Sequence, residues 1–266
     1  MALGLSTYAF FWQWSERATE PLSLERMLQK TRDLDVDVFQ VCDYPLIEQR
    51  SDDELRELSR VAGGLGIRLE LGTRGVRPAH LRRYLHIAER LGVTLVRTMI
   101  ATADDHLDES EAEGLLCEVL PEYERAGVTI ALETYEQVPT STLVGIVERI
   151  GSPRLGICSD PANCVAALES PAELIARVAP HVVNMHIKDF AFTRHAGWVG
   201  FSLTGAPLGE GLLDYAGMIA AIEPEERAIN QIIEHWLPWQ GDAETTFRLE
   251  DEWTAHNVRY VRSMNT

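Results

Sequence analysis

Lysine is nearly absent from this chain. Of 24 basic residues, only Lys30 and Lys188 are lysines, and the 41 acidic residues leave a formal net charge of -17 at pH 7. A protein that grips nucleic acid through its phosphates needs a basic face, so nucleic acid is not an expected partner. Cysteine is sparse as well. Cys42, Cys117, Cys158 and Cys164 form no C-x-x-C pair, and none has the neighbours that a reactive thiolate requires. No apolar run approaches the ~18 residues of a membrane helix. No basic N-terminal segment leads into an apolar stretch as in a signal peptide. These absences predict a soluble, cytoplasmic protein without a membrane partner. No G-x-G-x-x-G follows the first apolar run and no Walker motif occurs, which counts against a nucleotide-binding open sheet. No linker or low-complexity segment divides residues 1–266, so one domain is expected.

What the chain does have is alternation. Short apolar runs, read as strands, fall at 3–10, 36–43, 67–73, 93–100, 128–134, 154–160, 181–189 and 228–236. Amphipathic stretches, read as helices, fall near 22–33, 52–64, 78–91, 108–126, 140–150, 171–179, 214–223 and 243–262. Ser51, Pro78 and Thr140 or Ser141 supply helix starts. Gly66, Gly92, Gly127 and Gly151 supply helix ends. Pro121 should kink or interrupt the fourth helix. Eight strand–helix units in a chain of 266 residues predict a (β/α)8 TIM barrel, α/β in class, with its chemistry where the strands end. Two loops stand out: the aromatic FFWQWS at 10–15, and the Gly-rich 190–214, which reads as a lid or substrate wall.

Four chemically loaded residues follow the last four apolar runs: Glu133, Asp160, His186 and Glu234. Singly each has an ordinary reading, as a solvated strand end, a helix cap, a hydrogen-bonded core histidine or a salt-bridge partner. In succession they form a ligand set that a barrel would bring together. Three carboxylates and one imidazole suit a divalent metal, with Mn2+ or Mg2+ favoured over Co2+ or Zn2+. Glu133 and Glu234 can also move protons, as metal-assisted enediolate chemistry demands. Lys188 lies two residues after His186, and its rarity marks it as a third catalytic candidate.

These segments resemble the xylose isomerase-like barrel superfamily of sugar phosphate isomerases and epimerases, ketose 3-epimerases and inosose dehydratases. The resemblance is carried by ALE at Glu133, Asp160-Pro-Ala-Asn163, His186-Ile-Lys-Asp189, LGEG–LDY from Leu208 to Tyr215, and IEHW from Ile233. It implies that Glu133, Asp160, His186 and Glu234 hold one divalent cation. It also implies that the two glutamates face opposite sides of the substrate as an acid/base pair. One departure is Asn163, where ketose 3-epimerases typically carry histidine. An amide can hold a substrate hydroxyl but cannot shuttle a proton. LELGTRG at 69–75, LVRTMI, HIKDF and E-x-W-x-P around Glu234 are similar to a subgroup that includes 3-oxo-isoapionate decarboxylase-like proteins. There Arg74, Arg97 and Arg194 would offer forks for a carboxylate.

The leading expectation is a metal-dependent sugar isomerase or epimerase acting on a small keto-sugar or sugar acid. Decarboxylation of a 3-oxo sugar acid is the alternative. A non-catalytic sugar-binding barrel and an abasic-site endonuclease rank lower, the latter for want of histidines and positive charge. Expected substrate contacts are Arg74, Arg97, Asn163, Arg194, Glu210 and Trp236. Tyr8, Phe11, Trp12, Trp198 and Trp239 are candidate walls of a sugar pocket. The aromatic loops also suggest a homo-oligomer, a dimer or tetramer.

Overall fold

Several helices start and stop where local chemistry dictates. In the computed structural model, which describes residues 2–102 and 104–264, Ser51 and Glu54 form a capping box at the start of one helix: Glu54 N donates to Ser51 Oγ, and Ser51 N donates to Glu54 Oε2 at 2.7 Å. Pro78 opens the next, in the first-turn position where its missing N–H costs nothing. Gly92, Gly127 and Gly151 close three helices in the left-handed conformation, where a Cβ would be strained. The helices of eight residues or more are α1 Leu24–Asp33, α2 Asp52–Gly64, α3 Pro78–Leu91, α4 Glu109–Ala126, α5 Thr140–Ile150, α6 Pro171–Val178, α7 Tyr215–Ile222 and α8 Ala243–Met264.

Between them run β1 Leu3–Ser6, β2 Val38–Cys42, β3 Arg68–Gly72, β4 Leu95–Thr98, β5 Thr129–Glu133, β6 Leu155–Ser159, β7 Val182–Ile187, β8 Asp189–Arg194, β9 Phe201–Ala206 and β10 Gln231–Ile233. Eight of these close in the order β1-β10-β7-β6-β5-β4-β3-β2, every pair parallel. This is the expected (β/α)8 barrel, one domain. At the closing seam Gly4 faces Ile232, and a Cβ on Gly4 would lie 2.5 Å from Ile232 Cδ1. Strands buried between barrel interior and helices read as near-continuous apolar runs, as in β2 and β6, where every residue is buried. No helix among the described residues is long and apolar enough to cross a membrane.

Four expectations need correction. The first strand ends at Ser6, and FFWQWS is not a loop: Thr7–Phe10 and Phe11–Trp14 form two short helical turns. Ser6 itself caps them, accepting from Tyr8 N at 3.0 Å. Residues 190–214 are largely structured, because β8 and β9 pair as an antiparallel hairpin from Asp189↔Ala206 to Arg194↔Phe201. Pro139, not Thr140 or Ser141, precedes the first turn of α5, and Thr140 Oγ1 donates to Glu169 instead. Pro121 lies within α4 without interrupting it. Pro121 and Cys117 are both exposed, so the carbonyl that the missing N–H leaves free can be hydrated, which limits the cost.

Candidate metal centre and active site

Glu133 is the last residue of β5; Asp160 follows β6, His186 lies near the end of β7, and Glu234 follows β10. The barrel brings these four together. One ligand atom from each lies within 4.8 Å of the others, and all four residues are buried. His186 Nδ1 is 3.0 Å from Glu133 Oε1, 3.4 Å from Glu234 Oε2 and 3.7 Å from Asp160 Oδ2. Three buried carboxylates packed this closely repel one another strongly. A divalent cation among them would relieve that repulsion, and the donor set of carboxylate oxygens and one imidazole nitrogen fits it.

Two basic side chains share the cluster. Lys188 Nζ lies 2.7 Å from Asp160 Oδ2 and 3.4 Å from Glu234 Oε2, and 4.3 Å from the centre of the Trp236 ring. Arg97 reaches from β4 to pair with Glu133 Oε2 and with Asp43 Oδ1, and donates to Thr73 O at 2.8 Å. Burial alone would lower the Lys188 pKa, but Asp160 and Glu234 outweigh it and hold the ammonium above the usual lysine range. Burial likewise would raise Asp160, but Lys188 and His186 hold it below the usual carboxylate range.

Asn163 is not confined to its helix turn. Its backbone N–H donates to Asp160 Oδ1, while its side-chain Nδ2 donates to Glu133 Oε1 at 3.2 Å. Arg74 stands at the rim, half exposed, donating to Asp43 Oδ2 at 3.0 Å and to Tyr8 OH at 2.8 Å. Asp43 thus binds Arg97 and Arg74 together, and the sequence reading passed it over. Its signal was the same as that of the candidate ligands, a carboxylate after an apolar run, VFQVC. Burial opposes ionisation of Asp43, yet Arg97 and Arg74 bring it below the usual range.

Two expected substrate contacts are not brought to this cluster. Arg194 lies on the hairpin and stacks over Trp198 and Phe201, at 4.6 and 4.3 Å from their ring centres. Glu210 is exposed, 4.0 Å from His256 on α8. Trp198, 78 % exposed, also stands apart from the aromatic wall. That wall is built by Tyr8, Phe11, Trp12 and Trp236. A cavity of about 290 Å³ lies among Tyr8, Phe11, Trp12, His235 and Trp236. A second, about 380 Å³, opens on the other side of Tyr8 and Phe11, beside Asp43, Arg74 and His80.

The comparisons with known proteins agree with this architecture. A family model described as xylose isomerase-like TIM barrel matches residues 28–263. The chain is 54 % identical to a 3-oxo-isoapionate decarboxylase of Pectobacterium atrosepticum over 265 residues, covering 100 % of this chain and 96 % of the relative. A solved D-psicose 3-epimerase, crystallised in the presence of D-fructose, covers 99 % of both chains with a TM-score of 0.75 at 14 % identity. A xylose isomerase-like TIM barrel protein from Mycobacterium smegmatis, in complex with magnesium, has a TM-score of 0.68 at 18 % identity, over 98 % of this chain and 96 % of that one. At such identities the solved structures speak to the fold, whereas the family match and the decarboxylase span nearly the whole sequence. This chain belongs to the xylose isomerase-like TIM barrel family of enzymes.

Proposed function

We propose that the chain is a divalent-metal-dependent decarboxylase of a small 3-oxo sugar acid of the 3-oxo-isoapionate type. This reverses the ranking expected from sequence, in which isomerisation or epimerisation came first. The observation that carries it is the 54 % identity to a 3-oxo-isoapionate decarboxylase along the full chain. The epimerase reading is supported by likeness of fold alone, at 14 % identity.

The charge balance of the site supports the same choice. Glu133, Asp160, Glu234 and Asp43 face Arg97, Lys188 and Arg74, so a divalent cation would tip the site towards positive. On a chain with net charge -17, that is a local reversal suited to a carboxylate substrate.

In the proposed reaction the bond from the α carbon to the carboxylate breaks. Its electron pair moves into the neighbouring ketone, carbon dioxide leaves, and the enolate takes up one proton. The metal, when bound, would supply a Lewis acid for the charge that develops on the ketone oxygen. Lys188 adds a fixed ammonium in a buried site, where electrostatic stabilisation is strong. In this reading Lys188 and Glu234, 3.4 Å apart, return the proton. Ser6 Oγ donates to Glu234 Oε1 at 2.8 Å and fixes its orientation. Trp236 stacks against Lys188 and, with Tyr8 and Phe11, lines the adjoining cavity.

The test is carbon dioxide release from a panel of 3-oxo sugar acids in the presence of Mn2+ or Mg2+, alongside epimerisation of ketoses followed by NMR. Decarboxylation is expected, and Lys188→Met should lower kcat on the order of 10²–10³-fold. Epimerised ketoses with no carbon dioxide from any acid would reject the proposal.

A further inference from the structure

Three polar side chains lie inside apolar strands near the carboxylate cluster, and none is a ligand. Gln40 is in β2, Glu70 stands opposite it in β3, and Asn184 is in β7 two residues before His186. Their exposures are 0 %, 5 % and 0 %. Residues two apart on a strand share a face, so Asn184 and His186 both point into the barrel. His186 Nε2, the ring nitrogen turned away from the carboxylates, is 2.9 Å from Gln40 Oε1. Gln40 Nε2 donates to Glu70 Oε2 at 3.1 Å and to Asn184 Oδ1 at 3.2 Å. Asn184 Nδ2 and Asn230 Nδ2 also donate to Glu70, at 3.0 and 2.7 Å.

The donors and acceptors leave one consistent assignment. Both hydrogens of the Gln40 amide are used on Glu70 and Asn184, so its Oε1 is the atom facing His186 and can only accept. His186 Nε2 must therefore carry a hydrogen. Nδ1, the nitrogen among Glu133, Asp160 and Glu234, is then the one whose lone pair a cation can take.

We propose that Glu70 and Gln40 form a positioning relay that sets the ring and tautomer of His186 and strengthens its bond to the divalent cation. The inference rests on the metal-centre reading and adds two residues to it. Glu70 is held by three amide donors, and hydrogen bonds to neutral amides do not cancel its charge as a cation would. Its carboxylate polarises the Gln40 amide, which makes the Gln40 carbonyl a stronger acceptor. A stronger acceptor at Nε2–H makes Nδ1 a more basic ligand.

The experiment titrates Mn2+ into EDTA-stripped protein, reading free Mn2+ by EPR, and measures thermal melting of the stripped protein alongside. The unmodified chain should bind one Mn2+. Glu70→Gln and Gln40→Met should each weaken binding on the order of 10–100-fold. Combining Gln40→Glu with Glu70→Gln moves the carboxylate onto Nε2 while keeping one acid and one amide, and should restore binding. A network that merely fills the barrel would show lower melting temperatures with unchanged affinity. No Mn2+ bound by the unmodified chain would overturn the metal centre and the relay together. One Mn2+ bound, with affinity unchanged by Glu70→Gln or unrestored by the exchange, would overturn the relay alone.

Discussion

Arg97 is a cation almost fully enclosed by the barrel, and its two carboxylate partners sit at the ends of different strands, Asp43 just past β2 and Glu133 closing β5. Removing one member of a buried ion pair leaves the rest uncompensated. Arg97→Met should therefore destabilise the fold by about 3–5 kcal/mol in chemical denaturation; a loss under about 1 kcal/mol would mean that Asp43 and Glu133 find other partners. Glu250, on α8, is a second test at this scale. It is 1 % exposed, and burial raises its pKa to about 7 although Trp12 N and Gln13 N donate to it. A carboxyl raised in the folded state contributes stability that is full below its unfolded pKa and is lost as pH rises towards 7. Glu250→Gln should remove that decline, so the stability difference between pH 5 and pH 8 should shrink by about 3 kcal/mol. An unchanged difference would refute the assignment. The four candidate ligands were legible in the sequence because each ends an apolar run. Gln40, Glu70 and Asn184 were not: each reads alone as a stray polar residue, and their partners lie as far as 160 positions away.

At the scale of elements, the hairpin β8–β9 and its return explain a motif that had read as a family signature. Asp189, one residue past Lys188, accepts four backbone N–H groups: Phe190 and Leu213 on Oδ1, Gly209 and Gly211 on Oδ2, at 2.8–3.0 Å. A Cβ on Gly211 would lie 2.2 Å from Asp189 Oδ1, so the glycine is there to let the carboxylate in. HIKD and LGEG–LD thus form one clamp that holds Lys188 and the strand below it. Asp189→Ala should leave the barrel folded while amide hydrogen exchange at Gly209, Gly211 and Leu213 rises on the order of 10-fold or more, since each bond to a charged acceptor contributes about 1.5–3 kcal/mol. Unchanged exchange would show that the turn holds itself. Periodicity located the eight helices well because their caps are local. It overran β1, because an apolar aromatic run such as TYAFF has no strand or helix period of its own. It missed the hairpin, whose pairing partner is the other half of the same segment rather than the barrel.

For the whole molecule, closure of the barrel is what turns four separated residues into one site. A cation that binds only the folded chain stabilises it by mass action. At a hundredfold excess over its Kd, Mn2+ should add about 2.7 kcal/mol to the EDTA-stripped protein, a rise of roughly 5–10 °C in Tm. An identical Tm with and without Mn2+ would argue against a site built by folding. Sequence by itself determined the class of fold and the candidate ligand set, because helix caps, apolar runs and strand-end carboxylates are all written within a few residues. Tertiary structure decided which of the basic candidates named from sequence join the cluster. Arg97 and Lys188 turn in to the carboxylates and Arg74 reaches the rim through Asp43, whereas Arg194 spends its charge on the hairpin's own aromatic rings. A guanidinium carries no local mark of where it will point; strand order, barrel closure and the cost of burying an unpaired charge assign that.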